Sequence, residues 1–196
     1  GKLFSREAIL PYVERFSLVV IDEAFMDFLT PDQDQSLIDW VKEFPNLVIL
    51  RSLTKFYSLP GLRFGYAIAH PDRLKKWQQR RDPWSVNSLA AIAAEAVLQD
   101  RDFQKKTYDW LAIAPKQLFQ GLAQIPGLSP LPGVANYVLV KTDCSSLTLQ
   151  KRLLERDRIL IRDCLSFEEL GEHYFRVAVR LESENQRLIN GLTACL

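Results

Sequence analysis

Two hydroxyls, an amine and two guanidiniums are concentrated in one short loop, which follows the apolar residues 47–50. They belong to Arg51, Ser52, Thr54, Lys55 and Arg63. Loops at strand ends carry chemistry in many enzymes because a rigid sheet positions them. Hydroxyls and guanidiniums together suit a phosphate group, and an amine beside such a site suits a Schiff base with a carbonyl-bearing cofactor. Each residue alone could equally be a turn residue or a solvated surface group.

A carboxylate and two further arginines complete the set of candidate residues. Asp22 follows the apolar residues 16–21, where a carboxylate is costly unless it has a partner. Arg176 and Arg180 lie at even spacing in a strand pattern, so their side chains share one face of that strand. The alternatives are a capping or loop role for Asp22 and a half-exposed strand with solvated arginines.

Two segments carry a resemblance to a known family. Residues 51–66 read Arg-Ser-Leu-Thr-Lys-Phe-Tyr-Ser-Leu-Pro-Gly-Leu-Arg-Phe-Gly-Tyr, and residues 22–25 read Asp-Glu-Ala-Phe. They resemble the fold-type-I pyridoxal-phosphate enzymes, in the branch of histidinol-phosphate aminotransferases and threonine-phosphate decarboxylases. The resemblance implies that Lys55 forms the Schiff base with pyridoxal 5'-phosphate and moves protons at the substrate Cα. It implies that Asp22 pairs with the pyridine nitrogen. The cofactor phosphate is assigned to Ser52, Thr54 and Arg63.

The environment of the lysine follows from the same assignment. The amine of Lys55 must be neutral to attack an aldehyde, and we expect burial and the guanidiniums of Arg51 and Arg63 to favour that form. Arg51 could instead be structural, and Glu23 is interpreted as structural. Phe25 departs from the Tyr of many relatives, whose hydroxyl contacts the cofactor. Because Phe also occurs in the decarboxylases, this departure favours them.

The resemblance also assigns the substrate groups. It implies that Arg176 holds the substrate carboxylate, and Arg180 is a second cation that could serve a phosphorylated substrate. Arg162 and Asp163 also look family-like, but we interpret them as a structural ion pair.

A short motif of Trp84, Ser85 and Asn87 resembles a segment near the active site of the decarboxylases. The alternative is the entry to a helix, with Ser85 as the cap and Trp84 as a packing residue. The sequence leaves both interpretations open.

Composition excludes several other functions. The chain has 196 residues, of which 47% are hydrophobic and 25% charged, with a net charge of +1. This charge provides no field that would hold nucleic acid or a membrane surface, and no apolar run is long enough to span a bilayer. Three cysteines argue against a disulfide framework and for a reducing compartment, which we take to be the cytoplasm. The two histidines form no metal motif.

Hydrophobic patterning predicts an α/β fold with a mainly parallel sheet, followed by a compact α+β unit. The runs at 16–21 and 47–50, which are apolar apart from Ser17, are typical of parallel strands buried on both faces. A long helix is expected to bend at Pro115. The further predicted strands are 64–69, 135–141, 159–162 and 174–179, and the predicted helices are 6–15, 37–43, 72–80, 87–98, 101–124, 146–156 and 183–196.

The resemblance also implies how the chain is divided. Residues 1–108 are expected to be the C-terminal part of the large cofactor-binding domain, and residues 109–196 the small domain. The resembling enzymes are nearly twice as long, and Gly1 matches the last residue of an Asn-Pro-Thr-Gly turn that they contain. We therefore interpret the chain as a C-terminal fragment of an enzyme that is expected to be a homodimer.

Three functions are compatible with these residues. The first is decarboxylation of L-threonine O-3-phosphate to (R)-1-amino-2-propanol phosphate in cobalamin biosynthesis. The second is transamination of histidinol phosphate, and the third is a non-catalytic fragment. Chemistry on the amino acid requires the breaking bond to stand perpendicular to the cofactor ring, and the sequence does not show which bond does so.

Overall fold

The computed structural model describes residues 1–196. The chain divides into two compact units, one formed by residues 4–105 and the other by residues 1–3 together with 106–196. Each unit has a hydrophobic core of its own. None of the helices combines the length and the apolar character needed to cross a membrane.

The unit of residues 4–105 is built on a three-stranded sheet in the order β1-β2-β3. β1 and β2 are parallel, as the patterning predicts, whereas β3 joins β2 in an antiparallel manner. The short connection between β2 and β3 contains no helix that could cross over the sheet, so the chain returns as a hairpin. The elements are α1 Arg6–Arg15, β1 Val19–Asp22, β2 Leu47–Ser52, β3 Gly65–Ala69, α2 Pro71–Gln78, α3 Ser88–Gln99 and α4 Arg101–Leu111, which contains the division between the units.

The core of this unit covers one face of the sheet. Leu47 and Ile49 of β2 pack there with Val13 of α1. On the other face Val20 is 52% exposed and Leu50 is 38% exposed. Val48 lies on that same face and is 1% exposed, so β2 is buried on both faces over Leu47–Ile49, as predicted. The prediction is wrong for β1, which alternates between half-buried and exposed residues, and for Leu50.

The second unit is an α+β structure, as predicted. Its sheet has the order β4-β5-β7-β6, and every pair in it is antiparallel. Phe175 and Leu118 are completely buried in its core. The elements are α5 Ala114–Ala123, β4 Leu128–Leu131, β5 Tyr137–Thr142, α6 Ser146–Asp157, β6 Arg162–Asp163, β7 Tyr174–Ala178 and α7 Glu182–Cys195.

Four local predictions differ from the structure. The strand predicted for 159–162 is only β6, Arg162–Asp163. The helix predicted for 101–124 is two helices, because α4 ends at Leu111 and Pro115 lies in the first turn of α5 rather than in a helix interior. The segment 37–43 forms a 3-10 helix over Ile38–Lys42 instead of an α-helix. β4 was not predicted at all, since its Pro130 indicated a turn.

We expect Phe175→Ala to destabilise the protein by about 3–5 kcal/mol, because it leaves a cavity in a core where the ring is 0% exposed. Phe167→Ala is the matched control, since that ring is 57% exposed. Urea unfolding monitored by circular dichroism measures both changes. Equal effects of the two substitutions would contradict this description of the core.

Candidate active site

Asp22 is the last residue of β1, at the edge of the sheet where the parallel strands β1 and β2 both end. Its Oδ1 accepts a hydrogen bond of 2.9 Å from the backbone amide of Ala24. The side chain is exposed, and Oδ2 has no partner within the chain. The carboxylate is therefore oriented by its own turn, and one oxygen is available to a ligand.

The hydroxyls of Ser52 and Thr54 meet at the end of β2. The oxygens Oγ of Ser52 and Oγ1 of Thr54 are 2.7 Å apart, and the amide of Thr54 donates to Ser52 Oγ at 3.2 Å. Because Asp22 is in register with Leu50, and Ser52 lies two residues beyond Leu50, these side chains share one face of the sheet. The carboxylate and the hydroxyl pair thus project from the same face at the same edge.

Lys55 follows directly on the turn that Ser52 and Thr54 form. Its Nζ lies 5.7 Å from the centroid of the Phe25 ring, and the side chain is exposed. The next residue, Phe56, is only 2% exposed and anchors the loop in an aromatic cluster. The rings of that cluster belong to Phe25, Phe28, Phe56, Tyr57 and Phe103.

The expected environment of Lys55 is not found in this chain. The sequence predicts that burial and the guanidiniums of Arg51 and Arg63 favour the neutral amine. Instead Lys55 is exposed, and Arg51 is bound to two carboxylates. The reason is the alternation of side chains along β2, which directs Arg51 to the face opposite Ser52.

Arg51, Glu23 and Asp27 form a buried ion network beneath the loop. Glu23 is 2% exposed, and its Oε2 accepts from Nε of Arg51 at 3.0 Å and from Oγ of Ser36 at 2.7 Å. Its Oε1 accepts from the amide of Leu37 at 2.8 Å, which agrees with the structural role predicted for Glu23. Nη1 of Arg51 donates to Asp27. Burial raises the pKa of Asp27, and the Arg51 charge opposes that shift.

Residues 58–63, at the far end of the loop, have a strained backbone and are held by two hydrogen bonds from side chains. Ser58 and Arg63 adopt positive φ angles of 54° and 56°, which non-glycine residues rarely adopt. Nη1 of Arg63 donates to the carbonyl oxygen of Pro60 at 2.8 Å, and Nδ2 of Asn87 donates to that of Leu62 at 3.1 Å. The loop is therefore closed by Arg63 itself and held to the start of α3.

The helix-entry interpretation of the Trp84 motif needs two corrections. The cap of α3 is Asn87, whose Oδ1 accepts from the amide of Ala90 at 2.8 Å, and not Ser85. Trp84 is 89% exposed, so it does not pack within this chain. Asn87 takes the capping role because its amide group can accept from Ala90 and donate to the loop at once.

Arg176 lies on β7 in the second unit and has an arginine as its neighbour. In the antiparallel pairing of β6 with β7, Arg162 is directly opposite Arg176, and both side chains are exposed. The guanidinium of Arg176 lies 4.9 Å from the centroid of the Tyr137 ring. Like charges directly opposite each other are unfavourable, so this pair is a candidate anion site.

The role of Arg162 was not predicted. Instead of pairing with Arg162, Asp163 accepts a hydrogen bond of 3.2 Å from the amide of Leu165, which corrects the expected ion pair. The pairing of Arg162 with Arg176 depends on the register between β6 and β7, which residue spacing alone does not determine.

Arg180 lies two residues beyond the end of β7 and already has a carboxylate partner. Its Nη2 is 2.6 Å and its Nε 2.8 Å from Oε1 of Glu184. The hydrogen bond from Arg180 lowers the pKa of Glu184, and the Glu184 carboxylate raises the pKa of Arg180. The backbone of Arg180 exchanges two hydrogen bonds with the side chain of Asn185. An anionic ligand of Arg180 would therefore compete with Glu184.

Comparison with known proteins identifies the family. The model of the family described as aminotransferase class I and II matches residues 1–192, so the chain belongs to this family. It is 42% identical to the threonine-phosphate decarboxylase of Salmonella typhimurium, over 89% of this chain and 47% of that protein. It is 34% identical to histidinol-phosphate aminotransferase 2 of Nitrosospira multiformis, over 100% of this chain and 50% of that protein.

A solved structure supports the same assignment. The histidinol-phosphate aminotransferase of Clostridium acetobutylicum superposes with a TM-score of 0.92 at 29% identity, over 99% of this chain and 60% of that one. The fold is therefore that of the fold-type-I aminotransferases. The chain spans about half the length of the curated relatives that it matches.

Pyridoxal phosphate is the cofactor of this family, and the residues at the sheet edge fit it. The group needs donors for a phosphate, an acceptor for a protonated ring nitrogen and an amine for its aldehyde. The hydroxyl pair of Ser52 and Thr54 can donate to phosphate, Asp22 has a free carboxylate oxygen, and the amine of Lys55 is exposed.

We expect Glu23→Ala to destabilise the protein by about 3 kcal/mol or more, because it leaves the buried Arg51 with a single carboxylate. Glu43→Ala removes the same charge at an exposed position and should change the free energy of unfolding by less than about 0.5 kcal/mol. Denaturant unfolding of both variants measures the difference. A Glu23 variant as stable as the control would show that the network does not hold the loop.

Proposed function

We propose that the full-length protein decarboxylates L-threonine O-3-phosphate to (R)-1-amino-2-propanol phosphate, a step in the biosynthesis of cobalamin. The observation that carries this choice is the 42% identity to the Salmonella decarboxylase over 89% of the chain. The positions of Asp22, Ser52, Thr54 and Lys55 at one edge of the sheet support the cofactor chemistry that the reaction needs.

Each residue at the sheet edge has a proposed role. Bound there, pyridoxal phosphate would withdraw electrons from the substrate Cα and stabilise a carbanion. Asp22 would accept the hydrogen bond of the ring nitrogen and keep that nitrogen protonated. Lys55 would carry the cofactor and then deliver a proton to Cα once carbon dioxide has left. Ser52 and Thr54 would donate to the phosphate, and Arg63 would neutralise its charge.

The arginines of the second unit are proposed to bind the substrate. Arg176 would hold the carboxylate, and Arg180 would bind the phosphate after releasing Glu184. Arg162 is a competing candidate for the phosphate, because it lies opposite Arg176 and has no carboxylate partner. A bidentate guanidinium contact suits either anion.

Transamination of histidinol phosphate is the second candidate function. It is supported by the 34% identity to the aminotransferase of Nitrosospira multiformis over the whole chain. The same cofactor residues serve both reactions, and the orientation of the Cα substituents decides between them. Phe25 favours the decarboxylase, because many aminotransferase relatives have Tyr at this position.

The organisation of the whole protein is also a proposal. Residues 1–108 would complete a large cofactor-binding domain, and residues 109–196 would form the small domain of a cytoplasmic homodimer. Because the chain spans half the length of its relatives, we expect residues 1–196 alone to show little or no turnover.

The decisive experiment assays the full-length protein with two substrates. We expect release of carbon dioxide from threonine phosphate, and little 2-oxoglutarate-dependent conversion of histidinol phosphate. Lys55→Ala should abolish turnover, whereas Lys42→Ala removes an exposed lysine and should not change it. Borohydride reduction of the cofactor-loaded protein should label Lys55 in peptide maps. Preferential conversion of histidinol phosphate, or a label on another lysine, would refute the corresponding assignment.

Substitution of the three arginines separates their roles. A charge-assisted hydrogen bond to phosphate contributes about 1.5–3 kcal/mol, so loss of the phosphate ligand should lower kcat/KM by roughly one to two powers of ten. If Arg180 is that ligand, Arg180→Ala should lower kcat/KM for threonine phosphate far more than for threonine. Arg176→Ala should lower kcat/KM for both substrates.

Arg162→Ala provides the comparison for Arg180→Ala. If only Arg162→Ala lowers kcat/KM for threonine phosphate more than for threonine, the phosphate ligand is Arg162 and not Arg180. If neither substitution does so, both side chains are solvated and have no part in binding phosphate.

A further inference from the structure

A basic groove lies at the other edge of the first sheet, away from the Lys55 loop. It follows β3 at His70 and runs along α2, with a volume of about 420 Å³. We call it the α2 groove, and its walls include Arg73, Lys76, Trp77 and Arg80. β3 is antiparallel to β2, so its C-terminal end lies opposite the edge that carries Ser52. The groove is therefore separate from the proposed active site.

Three cations line the α2 groove at helical spacing. Arg73, Lys76 and Arg80 are three and four residues apart, which places them along one side of a helix. The amide of Arg80 donates to the carbonyl oxygen of Trp77 at 3.0 Å, so the helical turn continues to this residue. Asp72 is the one carboxylate in the lining, and it lies 3.7 Å from Nδ1 of His70. The groove thus has a net positive charge that favours an anion.

Arg73 presents a buried donor without an acceptor. Its Nε is buried and has no hydrogen-bond partner, and its Nη2 makes only a long contact of 3.4 Å with the carbonyl oxygen of Pro45. A buried donor of a charged group is costly when it is unpaired. Because Nε has almost no accessible surface, an oxyanion in the groove would bind the outer nitrogens of Arg73, whose planar guanidinium matches phosphate geometry.

Trp77 adds a different kind of surface to the same groove. It is 39% exposed, and an exposed indole stacks on the flat face of a base. The volume lies within the range of small-molecule sites, about 300–1,000 Å³. We propose that the α2 groove binds a small phosphorylated ligand with a planar ring, of the nucleotide class. This proposal does not depend on the reaction proposed above.

Calorimetry with the cofactor-loaded full-length protein tests this proposal, because the cofactor then fills the phosphate site at Ser52 and Thr54. The probes are AMP, ribose 5-phosphate, which lacks the base, and adenosine, which lacks the phosphate. We expect AMP to bind at least tenfold more tightly than either. Arg73→Gln and Lys76→Gln should each weaken AMP binding about tenfold, whereas Trp77→Leu should weaken AMP but not ribose 5-phosphate.

Arg81→Gln is the matched control, since Arg81 is an exposed cation that bonds Ser85 and does not line the groove. If Arg73→Gln fails to fold, Lys76→Gln still tests the proposal, because Lys76 is exposed and its substitution should not affect folding. Absence of saturable AMP binding, or an equal loss in Arg81→Gln and Lys76→Gln, would overturn the proposal. If ribose 5-phosphate binds as tightly as AMP, the proposal that Trp77 recognises a planar ring is wrong.

Discussion

The buried contact between Arg51 and Glu23 is the constraint on which the candidate active site depends. Removing two charges from water costs several kcal/mol per ion, so such a pair persists only when further hydrogen bonds satisfy it. Here both carboxylate oxygens of Glu23 have donors, from Ser36, Leu37 and Arg51. Because Glu23 follows β1 and Arg51 lies in β2, the contact fixes the turn after β1 to the end of β2. It thereby sets the positions of the residues on either side.

Neighbouring residues divide structural and chemical roles between the two faces of the sheet. Arg51 points to the core side, where it binds Glu23, and Ser52 points to the other side, where it meets Thr54. Asp22 and Glu23 differ in the same way, since one is exposed and the other is 2% exposed. Side chains alternate along a strand. At each strand end, one residue can therefore bind within the protein while its neighbour is available to a ligand.

Local patterns predicted the parts of this chain that local interactions determine. The bounds of α1, the parallel pairing of β1 with β2 and the α+β character of residues 106–196 follow from spacing and residue type. The sequence could not predict β4 or the pairing of Arg162 with Arg176. Both depend on the register of hydrogen bonds between consecutive strands, β4 with β5 and β6 with β7, and such pairing overrides the local signal of a residue such as Pro130. The burial of Arg51 was missed because its partners lie 24 and 28 residues away.

The arginines of the second unit differ in what an anion would gain by binding them. Arg180 is already neutralised by Glu184 at 2.6 Å. A phosphate that binds Arg180 must therefore displace Glu184, and the net free energy of binding is the difference between the two contacts. Arg162 and Arg176 face each other across two strands without a carboxylate between them, so an anion there also relieves a repulsion. A substrate with a carboxylate and a phosphate can offer either group to this pair. Under the proposed function, the group that Arg176 would bind would set the orientation of the Cα substituents, and that orientation would decide between loss of carbon dioxide and loss of a proton.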